Sequence, residues 1–298
     1  MAYLLQQLLN AVPLATLYAT LAFGYAIAFG VTRRADLTYG ALFAFSGQAY
    51  VLFADIGWNR LWLVLPASLA LGAAVSLAMS LAIGGLLGRC IMPRLVKVSP
   101  NAVIVAALGM MIVLMEVARL ASGTRDLWLP PFLNTPVSFF SDGRYRATLT
   151  VIQLGNTALM LAILVVGGVV IGRSRFGRIW RAVTEDRLAA ELCGISTERV
   201  FLLCYCCAAG IAAVCGILST SYYGNMDFGA GLMFGLKVLM IAALGGYGEP
   251  LRAAAGAALL GLVETLWGAF GPLVWRDPAV FSLLVLVLVM SRRERIIP

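Results

Sequence analysis

Long apolar stretches, separated by short polar breaks, run through almost the whole chain. A helix that crosses a bilayer needs roughly 20 mostly apolar residues. The pattern predicts nine stretches, at about 4–30, 37–54, 61–87, 101–121, 149–172, 200–220, 232–246, 253–270 and 279–290. The seventh and the last are short for a full span and fit half-helices or broken, re-entrant segments, so eight or nine crossings are expected. The predicted fold is an all-α polytopic membrane protein in which residues 1–298 form one transmembrane domain.

Composition narrows the class further. Hydrophobic residues make up 61% of the chain and charged residues only 12%, which excludes a water-soluble globular domain. The chain has no histidine, and so it lacks the commonest metal ligand and the usual general base near neutral pH. We therefore expect no metal site, no cofactor and no enzyme activity in this chain.

The basic residues predict an orientation, because Lys and Arg in short loops stay on the cytoplasmic side of a membrane. Most of them fall on one side if the N-terminus lies outside and the C-terminus lies in the cytoplasm. The inward loops then lie near residues 33–34, 89–97, 173–199, 252 and 292–295. This asymmetry accounts for the net charge of +8 without nucleic-acid binding.

Two loops are long. The outward loop, about 122–148, contains Pro130, Pro131 and Pro136, which rule out a regular helix and favour an extended or hairpin-like cap. The inward loop, about 173–199, has helical composition from Ile179 to Leu192, and Gly194 would end a short surface helix. That helix could dock a partner protein or could lie as an amphipathic helix on the membrane.

Three segments carry a resemblance to a known family. They are residues 181–200 (RAVTEDRLAAELCGISTERV), residues 235–264 (GLKVLMIAALGGYGEPLRAAAGAALLGLVE), and the opening YLLQQLLN with AFGY further on. Together they resemble the LivH-type permeases of branched-chain amino acid ABC importers. One departure lies after the first span, where such permeases carry a motif like Asn-Phe-Ala-His-Gly-Glu. This chain has Asp36, Tyr39 and Gly40 in that region, which leaves the solute open.

The resemblance implies a function and a set of partners. These are two ATPase subunits, a second permease that is a copy or a sister chain, a periplasmic binding protein, and the lipid of a bacterial inner membrane. It also implies that the inward loop couples to the ATPase through Arg181, Glu185, Asp186, Ala189, Ala190 and Gly194. The motor must be a separate chain, because neither Lys97 nor Lys237 follows a glycine as a phosphate-binding loop requires.

Polar residues at membrane depth are candidates for the translocation path, because a charge there costs about 2.5–3.5 kcal/mol on insertion scales. Lys237 and Glu264 could form a structural ion pair or line the path. The predicted path residues are Asp36, Tyr39, Gly40, Tyr223, Asp227, Lys237, Gly245, Gly246 and Glu264.

An internal repeat is also suggested by the sequence. Asp36 and Gly40 followed by Ala-Leu-Phe match Asp227 and Gly231 followed by Leu-Met-Phe. The two copies lie at opposite ends of their predicted spans, as inverted repeats require, but glycine and phenylalanine are abundant and coincidence is the alternative.

The leading interpretation is a permease subunit for branched-chain or related amino acids that works by alternating access. The alternatives are the same machine for urea, amides or another small polar solute, and a self-contained secondary transporter.

Overall fold

Helices dominate the computed structural model, which describes residues 2–142, 145–245 and 249–291. The twelve helices, in chain order, are α1 Ala2–Thr32, α2 Thr38–Asn59, α3 Leu65–Leu86, α4 Met92–Val98, α5 Pro100–Ala121, α6 Val151–Arg173, α7 Arg175–Glu185, α8 Arg187–Leu192, α9 Thr197–Tyr223, α10 Ala230–Gly245, α11 Pro250–Phe270 and α12 Arg276–Ser291. A π-helical turn, Leu87–Ile91, continues α3 into α4, and a 3₁₀ turn, Leu273–Trp275, precedes α12. Strands β1 (Pro136–Asp142) and β2 (Tyr145–Thr150) pair antiparallel.

Eight helical stretches in the described residues are long and apolar enough to cross a bilayer. The predicted seventh stretch corresponds to α10, Ala230–Gly245, which is a short apolar helix. The prediction that the last stretch is too short was wrong. The 3₁₀ turn and α12 together form an apolar stretch, Leu273–Met290, that is long enough to span.

The ends of the elements follow local capping chemistry. Thr150 and Gln153 form a capping box at the start of α6, in which each side chain accepts a hydrogen bond from the other residue's backbone N–H. The side chain of Ser99 accepts from Ala102 N at the start of α5, and Gly224 ends α9 in the left-handed conformation. The predicted hairpin-like cap of the long outward loop is confirmed as the β1–β2 hairpin.

The two ends of the bundle are defined by what α1 contacts. Near its start, the side-chain amide of Gln6 donates to Thr148 O on β2 and accepts from Thr148 N. Near its end, Ile27 O accepts a hydrogen bond from the indole of Trp180 on α7. The hairpin and the α7–α8 segment therefore lie at opposite ends, called here the hairpin end and the elbow end.

Helices α1, α2 and α9 supply most of the core, with α1 buried over residues 16–32 and α2 over residues 38–51, whereas α5, α6 and α12 expose many of their apolar side chains. Large exposed apolar surfaces of this kind are stable in lipid rather than in water. The core is therefore made by helices from both halves of the chain, and the outer layer faces the bilayer.

The helix pairings repeat between the two halves of the chain. Exchanging α1, α2, α3 and α5 for α9, α10, α11 and α12 converts the α1–α11 pair into α9–α3, and α2–α3 into α10–α11. It also converts α2–α9 into α10–α1, and α2–α5 into α10–α12. All of these contacts are present, as a pseudo-two-fold relation requires, and they favour the inverted repeat over coincidence.

Candidate functional site

Four charged side chains and one tyrosine meet between α1, α10, α11 and α12. Lys237 Nζ lies 2.9 Å from Glu264 Oε1 and 3.1 Å from Asp277 Oδ1. The hydroxyl of Tyr18 donates to Glu264 Oε2 at 2.8 Å and accepts from Lys237 Nζ at 3.3 Å. The guanidinium Nε of Arg276 is 3.7 Å from Glu264 Oε1. We call these five residues the charged cluster.

The charged cluster is buried at its centre and open at one side. The side chains of Lys237 and Glu264 are only 6% and 5% exposed, whereas those of Asp277 and Arg276 are each 43% exposed. A buried charge is tolerated only when it is paired, and here two cations face two anions. The ion pair that the sequence left as one of two interpretations of Lys237 and Glu264 is therefore present.

The repeated Asp-to-Gly segments meet where α2 crosses α10. A Cβ added at Gly40 would collide with Gly231 O, and one added at Gly231 would lie 2.9 Å from Gly40 O. The phenylalanines of the two copies, Phe43 and Phe234, contact each other beside this crossing, with ring centroids 5.0 Å apart and ring planes tilted by 47°. The two glycines are thus required by close backbone approach, and each copy of the motif contacts the other.

The aspartates of the two copies differ in their surroundings. Asp36 is buried and accepts hydrogen bonds from Thr38 N at 2.9 Å and from the hydroxyl of Tyr205 at 2.8 Å. Burial raises the pKa of this carboxyl above its ordinary value, and these two hydrogen bonds oppose the shift. Asp227 is exposed and accepts from Gly229 N at 3.2 Å.

The remaining path candidates are spread over the bundle. Tyr39 is buried, with its ring 5.6 Å from that of Tyr25. Tyr223 ends α9 and lines a cavity together with Glu264. Gly245 is the last residue of α10, and Gly246 lies outside the described residues. Thus the bundle joins Lys237, Glu264 and Tyr223 in one place and Asp36 and Tyr39 in another.

The inward loop forms two helices rather than the single helix predicted from Ile179 to Leu192. The break comes at Asp186, whose carboxylate caps α8 by accepting from Leu188 N and Ala189 N. Gly194 has the expected left-handed conformation, with a φ of +83°.

The α7–α8 segment is fixed to the end of α1. Trp180 is fully buried and packs against Gly30, and its indole donates to Ile27 O at 3.1 Å. The guanidinium of Arg33 donates to the carbonyl oxygens of Thr184 and Glu185. The segment is therefore attached to the end of α1 by packing and by hydrogen bonds.

Of the six residues predicted to dock the ATPase, five are exposed to solvent and one is buried. Arg181, Glu185, Asp186, Ala189 and Gly194 are exposed. Ala190 is buried, so its side chain is not available to a partner. Leu188 and Leu192, which are 73% and 90% exposed, present apolar surface beside them.

Comparison with known proteins identifies the family. A family model described as the permease component of branched-chain amino acid transport systems matches residues 7–291. The chain belongs to this family. The resemblance inferred from its motifs is thereby confirmed, and the chain is a multi-pass membrane permease component.

Several curated relatives in this permease family match most of the chain. The high-affinity branched-chain amino acid transport system permease protein LivH of Salmonella typhimurium is 32% identical over 97% of this chain and 94% of its own length. The corresponding permease protein BraD of Pseudomonas aeruginosa is 29% identical over 95% and 92%. The fructose import permease protein FruF of Bifidobacterium longum is 24% identical over 89% and 71%. No solved structure matches.

Sequence reasoning missed three members of the charged cluster in this permease. Tyr18 falls inside the first predicted stretch, 4–30, and Arg276 and Asp277 fall between the predicted stretches 253–270 and 279–290. A signal for Tyr18 did exist, since a tyrosine hydroxyl in the middle of a span needs a hydrogen-bond partner.

Proposed function

We propose that this chain is a transmembrane permease subunit of an ATP-driven importer for branched-chain or related amino acids, and that it works by alternating access. The observation that carries the proposal is the family match over residues 7–291, together with a LivH relative that is 32% identical over nearly the whole chain. The motor is a separate ATPase, because the sequence has no phosphate-binding loop of the G-x-x-x-x-G-K-[ST] type.

Coupling to the ATPase is assigned to the exposed face of the α7–α8 segment. Leu188 and Leu192 supply apolar surface, and Arg181, Glu185 and Asp186 supply the surrounding charge. The hydrogen bonds from Trp180 and Arg33 would transmit a displacement of α8 to α1. Because α1 packs along α11, the same displacement would reach Glu264 in the charged cluster.

The complete importer is proposed to contain two ATPase subunits, a second permease and a periplasmic binding protein in a bacterial inner membrane. The N-terminus and the hairpin end then face outward, and the elbow end and the C-terminus face the cytoplasm. The path follows the predicted residues around the α2–α10 crossing and the charged cluster.

The solute is tested by uptake into proteoliposomes that contain the full importer. We expect ATP-dependent uptake of leucine, isoleucine or valine, with fructose and urea as competing solutes. Fructose is included because one relative is a fructose import permease. Uptake of fructose or urea without any uptake of the aliphatic amino acids would replace the proposed substrate with the alternative one.

The coupling surface is tested by co-purification of the ATPase. We expect Leu192→Glu and Ala189→Arg to lose the ATPase while the permease remains folded, because both side chains lie at the surface. The matched control is Leu61→Glu, an exposed leucine in the connection after α2 at the hairpin end. Undiminished ATPase binding by Leu192→Glu and Ala189→Arg would reject this surface.

Orientation is tested at Cys193, which is exposed on the elbow end. An impermeant thiol reagent should label it in permeabilised cells and not in intact cells. Labelling in intact cells would place the α7–α8 segment outside and remove the basis for coupling.

A further inference from the structure

A polar cavity lies beside the charged cluster, toward the hairpin end. It measures about 350 Å³, is open at one side and is lined by residues of α1, α6, α9, α11 and α12. This volume is at the small end of the range for ligand pockets, about 300–1,000 Å³. The cavity therefore suits a small solute and excludes large ones.

The lining of the cavity includes one anion and one cation, and the cation has N–H groups that make no hydrogen bond to the described part of the chain. Glu264 and Arg276 both line it. Within the described residues, the guanidinium of Arg276 makes no hydrogen bond, and its shortest approaches to Glu264 and Asp277, both from Nε, are 3.7 and 3.8 Å. An arginine fork with free N–H groups is suited to binding a carboxylate in a bidentate manner.

The carboxylate of Glu264 can accept a further donor. Its two oxygens accept from Lys237 and Tyr18, and an ionised carboxylate has about four lone-pair sites. A ligand ammonium group could therefore join it. The two cations and two anions of the charged cluster balance one another, so a ligand with no net charge keeps that balance.

Apolar side chains form another part of the lining, alongside polar groups such as the amides of Gln7, Asn10 and Asn156. The apolar residues are Pro13, Leu14 and Leu17 of α1, Met160 of α6 and Leu218 of α9. Apolar surface of this kind favours an aliphatic side chain by about 25 cal/mol per Å² buried. The lining is thus mixed, with the charges of Glu264 and Arg276, uncharged polar groups and hydrocarbon surface all available to one ligand.

We propose that this cavity is a solute-binding site of the permease and that its ligand class is an α-amino acid zwitterion with an aliphatic side chain. Arg276 binds the carboxylate, Glu264 receives the ammonium group, and the wall around Leu14 and Leu218 contacts the side chain. A sugar bound over Arg276 would cover the guanidinium without offering it a carboxylate, which is unfavourable. This inference rests on the proposed function, because it names the site through which that function handles its substrate.

The first test fills the cavity without disturbing its walls. Gly268 lines the cavity, and a Cβ added there would meet no atom of the described residues within 4 Å. Gly109 on α5 has the same open space and lies outside the cavity. In proteoliposomes that contain the full importer, we expect Gly268→Leu to reduce leucine uptake about tenfold or more, and Gly109→Leu to stay within about twofold of wild type.

The second test addresses the charge. Arg276→Gln should reduce leucine uptake about tenfold or more, and Arg276→Lys should restore part of it, because lysine keeps the charge without the fork. The control is Arg119→Gln, whose arginine is paired with Glu116 on the exposed face of α5. ATP hydrolysis stimulated by the binding protein should persist in Arg276→Gln, since the elbow end is unchanged.

The outcomes are separable. Leucine uptake by Gly268→Leu and Arg276→Gln at the wild-type rate would overturn the site. Loss in Gly268→Leu without loss in Arg276→Gln would overturn its assignment to a zwitterion. If the wild-type importer takes up no aliphatic amino acid, the proposed function itself fails before any variant is measured.

Discussion

The two copies of the Asp-to-Gly motif share their local structure and differ in their chemistry. In each copy the aspartate accepts a hydrogen bond from the backbone two residues on, Asp36 from Thr38 and Asp227 from Gly229, and each glycine packs on the other at the α2–α10 crossing. Beyond the motif the copies diverge. Lys237 follows Asp227 by the interval at which Ser46 follows Asp36.

This divergence separates the scaffold from the site. Ser46 is buried, its hydroxyl donates to Phe43 O of its own helix, and within the described residues it packs against Gly216 of α9 without a charged partner. Lys237 instead reaches Glu264 and Asp277 on two other helices. The repeat builds the crossing of the two halves, whereas the residues that break the repeat supply the charge.

The largest expected effect comes from removing the charge that distinguishes the second copy. Lys237→Met would leave Glu264 buried without its nearest cation, which costs about 3–5 kcal/mol when one partner of a buried pair is removed. We expect a marked loss of apparent Tm in detergent and of transport. The double variant Lys237→Met/Glu264→Gln should recover stability, because it removes the unpaired charge. A double variant as unstable as the single one would show that packing, rather than charge, dominates.

The glycines test the feature that the copies share. Gly40→Ala and Gly231→Ala should each destabilise the permease by about 1–3 kcal/mol, since an added Cβ forces the two backbones apart. The two losses should be similar, because each glycine contacts the carbonyl oxygen of the other. Gly155→Ala on α6 is the control, where an added Cβ meets no described atom within 4 Å. Thermal unfolding of the three variants measures the comparison, and unequal losses at Gly40 and Gly231 would argue against a symmetric crossing.

Substitution of the two aspartates tests how much the burial of Asp36 adds to the backbone hydrogen bond that both aspartates accept. Asp36→Asn should cost about 1 kcal/mol, because an amide can still accept from Thr38 N but must reorganise the bond with Tyr205. Asp227→Asn should stay within about 0.5 kcal/mol, because Asp227 is exposed and asparagine forms the same turn. Chemical or thermal unfolding of both variants at one pH separates the two, and equal effects would mean that burial of Asp36 is unimportant.

The smallest effect is a pH dependence that only the first copy should have. Burial raises the pKa of Asp36 in the folded protein, so its contribution to stability is fully present below the unfolded value, about 3.9, and is lost as pH rises through the folded value. Asp36→Asn should therefore flatten the decline of apparent Tm above about pH 4. Asp227→Asn should leave the wild-type slope unchanged, and a flattening in that variant would contradict the contrast.

The sequence predicted most of the fold but only part of the candidate site. The apolar stretches, the proline-rich cap and the left-handed Gly194 were all predicted, because each depends on residues close together in the chain. The break at Asp186 was missed, because helical composition on both sides concealed a capping residue between two short helices. The sequence did not predict the burial of Ala190, because that burial depends on how α8 packs against α9 and not on the residues next to Ala190 in the chain.

The sequence by itself determined that this chain is a multi-pass helical permease component, since hydropathy is a local property and the family motifs lie along nearly the whole chain. Only the tertiary structure decided which polar residues meet. Tyr18, Lys237, Glu264 and Asp277 come from four helices, and their contacts depend on the packing of α1 against α10, α11 and α12. No periodicity within one segment encodes a contact between segments, and so the charged cluster and its cavity emerged only from the fold.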